Sequence, residues 1–279
     1  MAIVTALGAA MLYALAAVLQ HRSAASVPDE RSMRVGLIVH LAGRPAWLIG
    51  IVADAGAYVL QFVALGHGSL VLVQPLLVPG LLMALPINAA LTHRHLNRRE
   101  WVASGAVVTG LALFLVVASP SEGVATASNK AWMALGATAA VLVLTMLRLS
   151  GRPGTVRRAC LLAAAAGLVM GVAAALTKAT SHLLGTGIGQ TLTSWEPYAL
   201  VACGLLGLLL VQSAFQAGPL RWSLPMLTVV ETVAGIAIGA LAFSESIRSS
   251  PLAILAELLG VAVMALGVFG LGQAPFALG

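Results

Sequence analysis

Charge is scarce in this sequence. Only 9% of its 279 residues are Asp, Glu, Lys or Arg, where a soluble domain carries about 25%. With 60% hydrophobic residues, a globule of this length has too little polar surface to stand in water. Cysteine is nearly absent. Cys160 and Cys203 both lie inside apolar runs, with no CxxC pair or Cys/His cluster, so a zinc-type site has no ligands to build from. The loops hold no nucleophile–base pair. Gly185, Gly187 and Gly189 are scattered, without the Lys of a phosphate-binding loop. The expectation is therefore a non-enzyme without a cofactor.

What is present is a succession of apolar runs of roughly 20 residues, each long enough to cross the ~30 Å hydrocarbon core as a helix. Their period is helical, which argues against a β-barrel. The runs fall at about 2–20, 45–66, 68–91, 101–119, 131–147, 159–184, 198–218, 221–243 and 251–272. Trp47, Trp101, Trp132, Trp195 and Trp222 each stand at or beside the start of a run, where headgroup-level Trp is expected. The lack of Lys or Arg before residue 20 argues against a signal peptide and for a first membrane helix.

The formal net charge of +6 does not point to nucleic acid, because the basic residues sit in short loops. The 21–44, 92–100 and 148–158 loops, with Arg221, hold 12 of the 15 Lys and Arg. With nine spans all of these lie on one face. The other face has Lys130 and Arg248, and Lys178 lies inside a span. The bias predicts a multi-pass cytoplasmic-membrane protein, N-terminus outside and C-terminus cytoplasmic. In the 21–44 loop, Ser26-Val27-Pro28-Asp29-Glu30 reads as a helix start. Met33, Leu37, Ile38 and Leu41 then form one apolar face, which suits a short interfacial helix or a solvated loop.

A shift of 150 lays residues 64–116 over 214–266 without a gap and with 13 identities. Gly68/Gly218, Pro75/Pro225 and Gly110/Gly260 are the telling pairs. The first span matches the sixth through Gly8/Gly167 and Met11/Met170. Spans 1–4 (residues 1–119) thus recur as spans 6–9 (159–272), joined by span 5 (131–147). Five spans per step turn the second copy over in the membrane. The predicted fold is an all-α integral membrane protein of about nine transmembrane helices, in two inverted four-helix repeats joined by a central helix. That organisation is characteristic of alternating-access carriers.

The run Leu65-Gly66-His67-Gly68-Ser69-Leu70-Val71-Leu72-Val73-Gln74-Pro75-Leu76 resembles the second and third helices of the drug/metabolite transporter superfamily, whose members carry two EamA-type repeats. Its counterpart Gln212-Ser213-Ala214-Phe215-Gln216-Ala217-Gly218-Pro219-Leu220, then Leu224-Pro225, resembles it too. Val230-Glu231-Thr232 and Phe243-Ser244-Glu245 look like the end of the eighth helix there. Nine helices where the usual pattern has ten resemble the magnesium-transporter-like (NIPA-type) branch. The resemblance implies a secondary transporter of a small organic solute. The alternative it implies is a carrier of magnesium or another divalent cation.

Ionisable groups at membrane depth are costly and so are functional candidates. Asp54, Lys178, Glu231 and Glu257 are of this kind. Asp54 and Glu231, near the middle of their spans, are read as substrate or proton ligands. Lys178 is expected either to snorkel outward or to neutralise Glu231 or Asp54. The carboxylates favour a cation, since magnesium takes oxygen ligands. Polar candidates are Tyr13, Gln20, Tyr58, Gln61, Gln74, Asn88, Gln212 and Gln216. For each Gln, interhelical hydrogen bonding is the favoured role. Pro75 and Pro225 break spans three and eight and mark them as cavity walls. Gly167-Leu168-Val169-Met170-Gly171 and Gly235-Ile236-Ala237-Ile238-Gly239 suit close helix contact, inside the fold or in a homodimer. His21, His93, His95 and His182 stand near span ends and are read as solvated.

Overall fold

The computed structural model describes residues 1–24, 35–80, 82–84, 87, 97–118, 123–124, 126–151, 154–218, 220–245 and 251–272. Among the described residues there is no strand, as the helical period requires. In chain order the helices are α1 (Ala2–Ala24), α2 (Val35–Ala42), α3 (Pro45–Gly66), α4 (Leu70–Leu77), α5 (Arg98–Ala118), α6 (Asn129–Leu149), α7 (Val156–Thr186), α8 (Ile188–Thr193), α9 (Glu196–Ala217), α10 (Leu220–Ala242) and α11 (Pro251–Gly272).

The starts follow from local chemistry. Ser69, Ser128 and Thr155 cap α4, α6 and α7, each accepting from a backbone N–H of the first turn. Pro45 and Pro197 sit in the first turns of α3 and α9, where a missing N–H costs nothing. Gly187, at φ 143°, breaks α7 from α8, a backbone geometry that a side chain would strain.

Among the described residues, six helices are long and apolar enough to cross a membrane: α1, α3, α6, α7, α9 and, within α10, Trp222–Ala242. Three shorter apolar helices run over Leu70–Ala84, Trp101–Phe114 and Leu258–Gly270. The chain is therefore an all-α membrane protein. The six compare with the nine spans read from hydropathy. The runs at 68–91, 101–119 and 251–272 correspond to the three shorter helices, whose lengths cover the described residues alone, and Pro75 lies inside α4.

Helix α7 lies at the centre, packed on α3, α6, α9 and α10, and its Ala-rich sequence is why neighbours can approach so closely. Helix α3 packs on α1, and α5 on α11. The two GxxxG patterns are spent inside this fold. A methyl added to Gly167 would lie 2.9 Å from the Glu231 nitrogen, and one on Gly171 would lie 2.7 Å from Ala234 Cβ. Gly235 and Gly239 likewise face Gln74 and Val71. At the α5–α11 crossing, a methyl on Gly110 would stand 2.6 Å from Gly260 O and 2.9 Å from Met264 Cα. One on Gly260 would stand 2.9 Å from Gly110 O and 3.2 Å from Phe114 Cα.

Several expected surfaces are interior. Trp47 and Trp132 are buried. Trp47 donates to Gln212 Oε1 at 3.2 Å, and Trp132 stacks edge-on against Trp195 and Phe243. Trp101 and Trp195 remain exposed. His21 is not solvated. It is 1% exposed and meets Phe215 edge-on, because α1 continues past residue 20 and carries the ring inward. His182 is exposed as expected. His93 and His95 lie outside the described residues, as does the expected helix start at 26–30. The short helix of that loop is α2, and its Leu41 is fully buried.

Candidate functional site

A cavity of about 530 Å³ lies between α1, α3, α4, α7, α9 and α10. Six of the polar and charged candidates meet in its first-half wall. Tyr13 and Gln20 come from α1, Asp54, Tyr58 and Gln61 from α3, and Gln74 from α4. Glu231 on α10 faces them across the space. The two carboxylates act on one another electrostatically, and Tyr13 lies within range of both. No Lys, Arg or His is among the described residues that line the cavity. The rest of the wall is mostly apolar, from Ala14 and Ile51 to Met170, Leu208 and Phe215.

Hydrogen bonds pin part of this wall. Tyr13 donates to Gln61 Oε1 at 2.5 Å. The Tyr58 and Thr177 hydroxyls are 2.9 Å apart, and Thr177 also donates to Ala173 O at 2.7 Å. Gln20, which also lines the cavity, accepts from Gln212 Nε2 and sits beside the Asp54 carboxyl. Gln212 is fully buried between Gln20 and Trp47. Gln61 and Gln212 thus take the interhelical role expected of them.

Gln74 does not. It is 0% exposed, lines the cavity, and neither its Oε1 nor its Nε2 has a partner in the protein. A buried amide left in that state costs roughly 1–3 kcal/mol, so its natural partner is whatever the cavity holds. Gln216 is buried but does not line the cavity. Pro75 and Pro225 do not line it either; the residues before them, Gln74 and Leu224, do. Glu257 lies on α11, with its side chain outside the described ones, and Asn88 is also outside them.

Lys178 pairs with neither Asp54 nor Glu231. Its ammonium donates to Glu245 Oε1 and stands 5.0 Å from the centre of the Phe243 ring. Glu245 is 3% exposed and caps α4, accepting from Leu70 N and Val71 N at 2.9 Å each. Leu72 N donates to Ser69 Oγ and Val73 N to Ser69 O, so the α4 N-terminus is fully satisfied. The carboxylate reaches this point because the chain reverses after α10. Ser244 is left-handed at φ 51°, and Glu245 N bonds back to Gly239 O at 3.0 Å. Lys178 thus neutralises Glu245 instead of the expected Glu231 or Asp54, in a charge-assisted hydrogen bond to a carboxylate that the α4 N–H groups hold in place.

Comparison with known proteins adds a relative and no role. An uncharacterized protein of Corynebacterium glutamicum is 29% identical over 249 residues, spanning 89% of this chain and 86% of its own. No family model and no solved structure matches the chain.

Proposed function

We propose that the protein is a secondary carrier of the cytoplasmic membrane, moving a small organic solute by alternating access with a gradient as its drive. The observation that carries this reading is the cavity itself. It holds two acidic side chains, Asp54 and Glu231, and an unpartnered buried amide, Gln74. Its volume of about 530 Å³ falls in the range of organic-ligand pockets. It far exceeds what a divalent ion held by protein oxygens needs, which weighs against the magnesium alternative.

The nine-span, two-repeat arrangement belongs to this proposal. Its support is reciprocal packing. Gly110 meets Met264 while Gly260 meets Phe114, and both pairs are related by the same shift of 150. The shift also relates Ile51 to Val201 and Leu77 to Leu227, all four on the cavity wall. Two inverted halves meeting around a shared site is the architecture that rocking carriers use. In this reading the N-terminus is outside and the C-terminus cytoplasmic, from the distribution of Arg in the loops.

The test uses proteoliposomes loaded with a pH-sensitive dye and exposed to small amines, amino acids and sugars. A solute that drives proton movement through the wild type and not through Glu231→Gln supports the carrier. Magnesium uptake with the same dependence on Glu231, and no organic flux, selects the cation alternative instead.

A further inference from the structure

The α3 and α4 side of the cavity wall is polar where the matching α9 stretch and Leu224 of α10 are apolar, while α10 adds Thr228, Glu231 and Thr232. On α3, Asp54, Tyr58 and Gln61 face the cavity; at the positions 150 further on, α9 presents Gly204, Leu208 and Val211. On α4 the wall residue is Gln74, and its counterpart on α10 is Leu224. A ligand that satisfied this wall would need a polar end against α3 and α4 and an apolar body against α9. The polar end must be cationic, because Asp54 and Glu231 face it and no basic side chain among the described residues lines the cavity.

Several lining residues of α3 and α9 are also exposed. Helix α3 packs on α1 and α7, and α9 packs on α7. At one end α3 and α9 are joined by the Trp47–Gln212 hydrogen bond; at the other, α3 is tied to α7 by Tyr58 and Thr177. Between these ties three of the wall residues are exposed. Ala55 is exposed, Tyr58 is 36% exposed and Val201 is 61% exposed. A methyl on Gly204 would meet nothing within 4 Å. The outer faces of both helices here, with Val52, Val59 and Leu205 exposed, suit lipid rather than water.

We infer that the cargo is an amphiphilic organic cation that enters the cavity from the lipid phase through the gap between α3 and α9. The inference rests on the carrier reading for its purpose, while its test reads binding alone. Amphiphiles concentrate in the membrane, so a side entrance lets the protein draw on that pool. The cationic head then exchanges headgroup contacts for Asp54, Glu231 and the free amide of Gln74.

The test uses the full chain in lipid nanodiscs and dansylcadaverine, a fluorescent amine with an apolar ring system. Saturable binding is expected, and its N-acetylated, uncharged form should bind at least about tenfold more weakly, as loss of a buried charge partner implies. The Asp54→Asn/Glu231→Gln double variant should lose affinity by a similar factor, about tenfold or more. Gly204→Trp should fill the gap and slow association, whereas Gly136→Trp, on α6 with open space around it, should not. Bromine-labelled lipid should quench the bound probe, a readout that needs no variant to fold. Equal binding of the acetylated probe overturns the cationic class. Unchanged association in folded Gly204→Trp, or no quenching by bromolipid, overturns the side entrance. If hydrophilic or anionic solutes are instead carried in a Glu231-dependent way, this inference fails and the carrier reading stands.

Discussion

Replacing Glu245 with Ala removes one acceptor from three donors at once: Leu70 N, Val71 N and the Lys178 ammonium. Hydrogen bonds to charged groups contribute roughly 1.5–3 kcal/mol each, but these share one carboxylate and do not add. Breaking a buried pair by deleting one partner costs about 3–5 kcal/mol. Because Lys178 keeps some exposure and can take up water, the lower half of that range is the better expectation, about 3–4 kcal/mol. That is a fall of a few hundredfold in the folded-to-unfolded ratio. Lys178→Met should cost less, about 1–3 kcal/mol. The carboxylate left behind still holds two N–H donors at a helix N-terminus, which stabilises a buried anion by up to ~2 kcal/mol. Reversible unfolding in mixed micelles, followed by circular dichroism, measures both. An ordinary interhelical hydrogen bond in a membrane contributes about 0.6 kcal/mol. A loss no larger than about 0.6 kcal/mol in Glu245→Ala would place this cluster in that ordinary class and refute the reasoning.

The same cluster predicts a rescue pattern. If Lys178→Ala impairs transport, adding Glu245→Gln should restore part of it, and adding Asp54→Asn or Glu231→Gln should not; flux in the double variants decides. Gly110→Val should destabilise by about 1–3 kcal/mol through overpacking against the Gly260 and Met264 backbone. Gly136→Ala, with nothing within 4 Å, should instead stabilise by up to about 1 kcal/mol; unfolding of both checks the α5–α11 packing. Tyr13→Phe loses only the hydrogen bond to Gln61 and should cost about 0.6 kcal/mol of stability, so a larger effect on binding than on folding would place the hydroxyl against the cargo. Ser244→Gly should relieve the left-handed backbone at φ 51° and raise stability by about 1 kcal/mol.

Asp54 and Glu231 were legible in the sequence because a carboxylate deep in an apolar run is costly unless something uses it. The structure brings both to one cavity, with five more of the polar residues singled out beside them. Glu245 enters the sequence reading only within the Phe243-Ser244-Glu245 motif and not as a candidate. The overlooked signal is the position itself. An acid next to a helix C-terminus is unfavourable there, so it needs a partner elsewhere, and it finds one at α4. Hydropathy could not show that Lys178 would choose Glu245, because the pairing depends on a chain reversal at Ser244 and on the α4 start, which are remote in sequence. His21 was misread for a simpler reason. A hydropathy boundary drawn at residue 20 ignores that helical phase continues, and the phase turns the ring toward Phe215.

The most direct test of the carrier account is solute-driven proton flux in proteoliposomes containing the wild-type chain or Glu231→Gln. The account predicts organic-cation-driven flux in the wild type that the folded variant loses. Magnesium flux that depends on Glu231, with every organic solute inert, would contradict it.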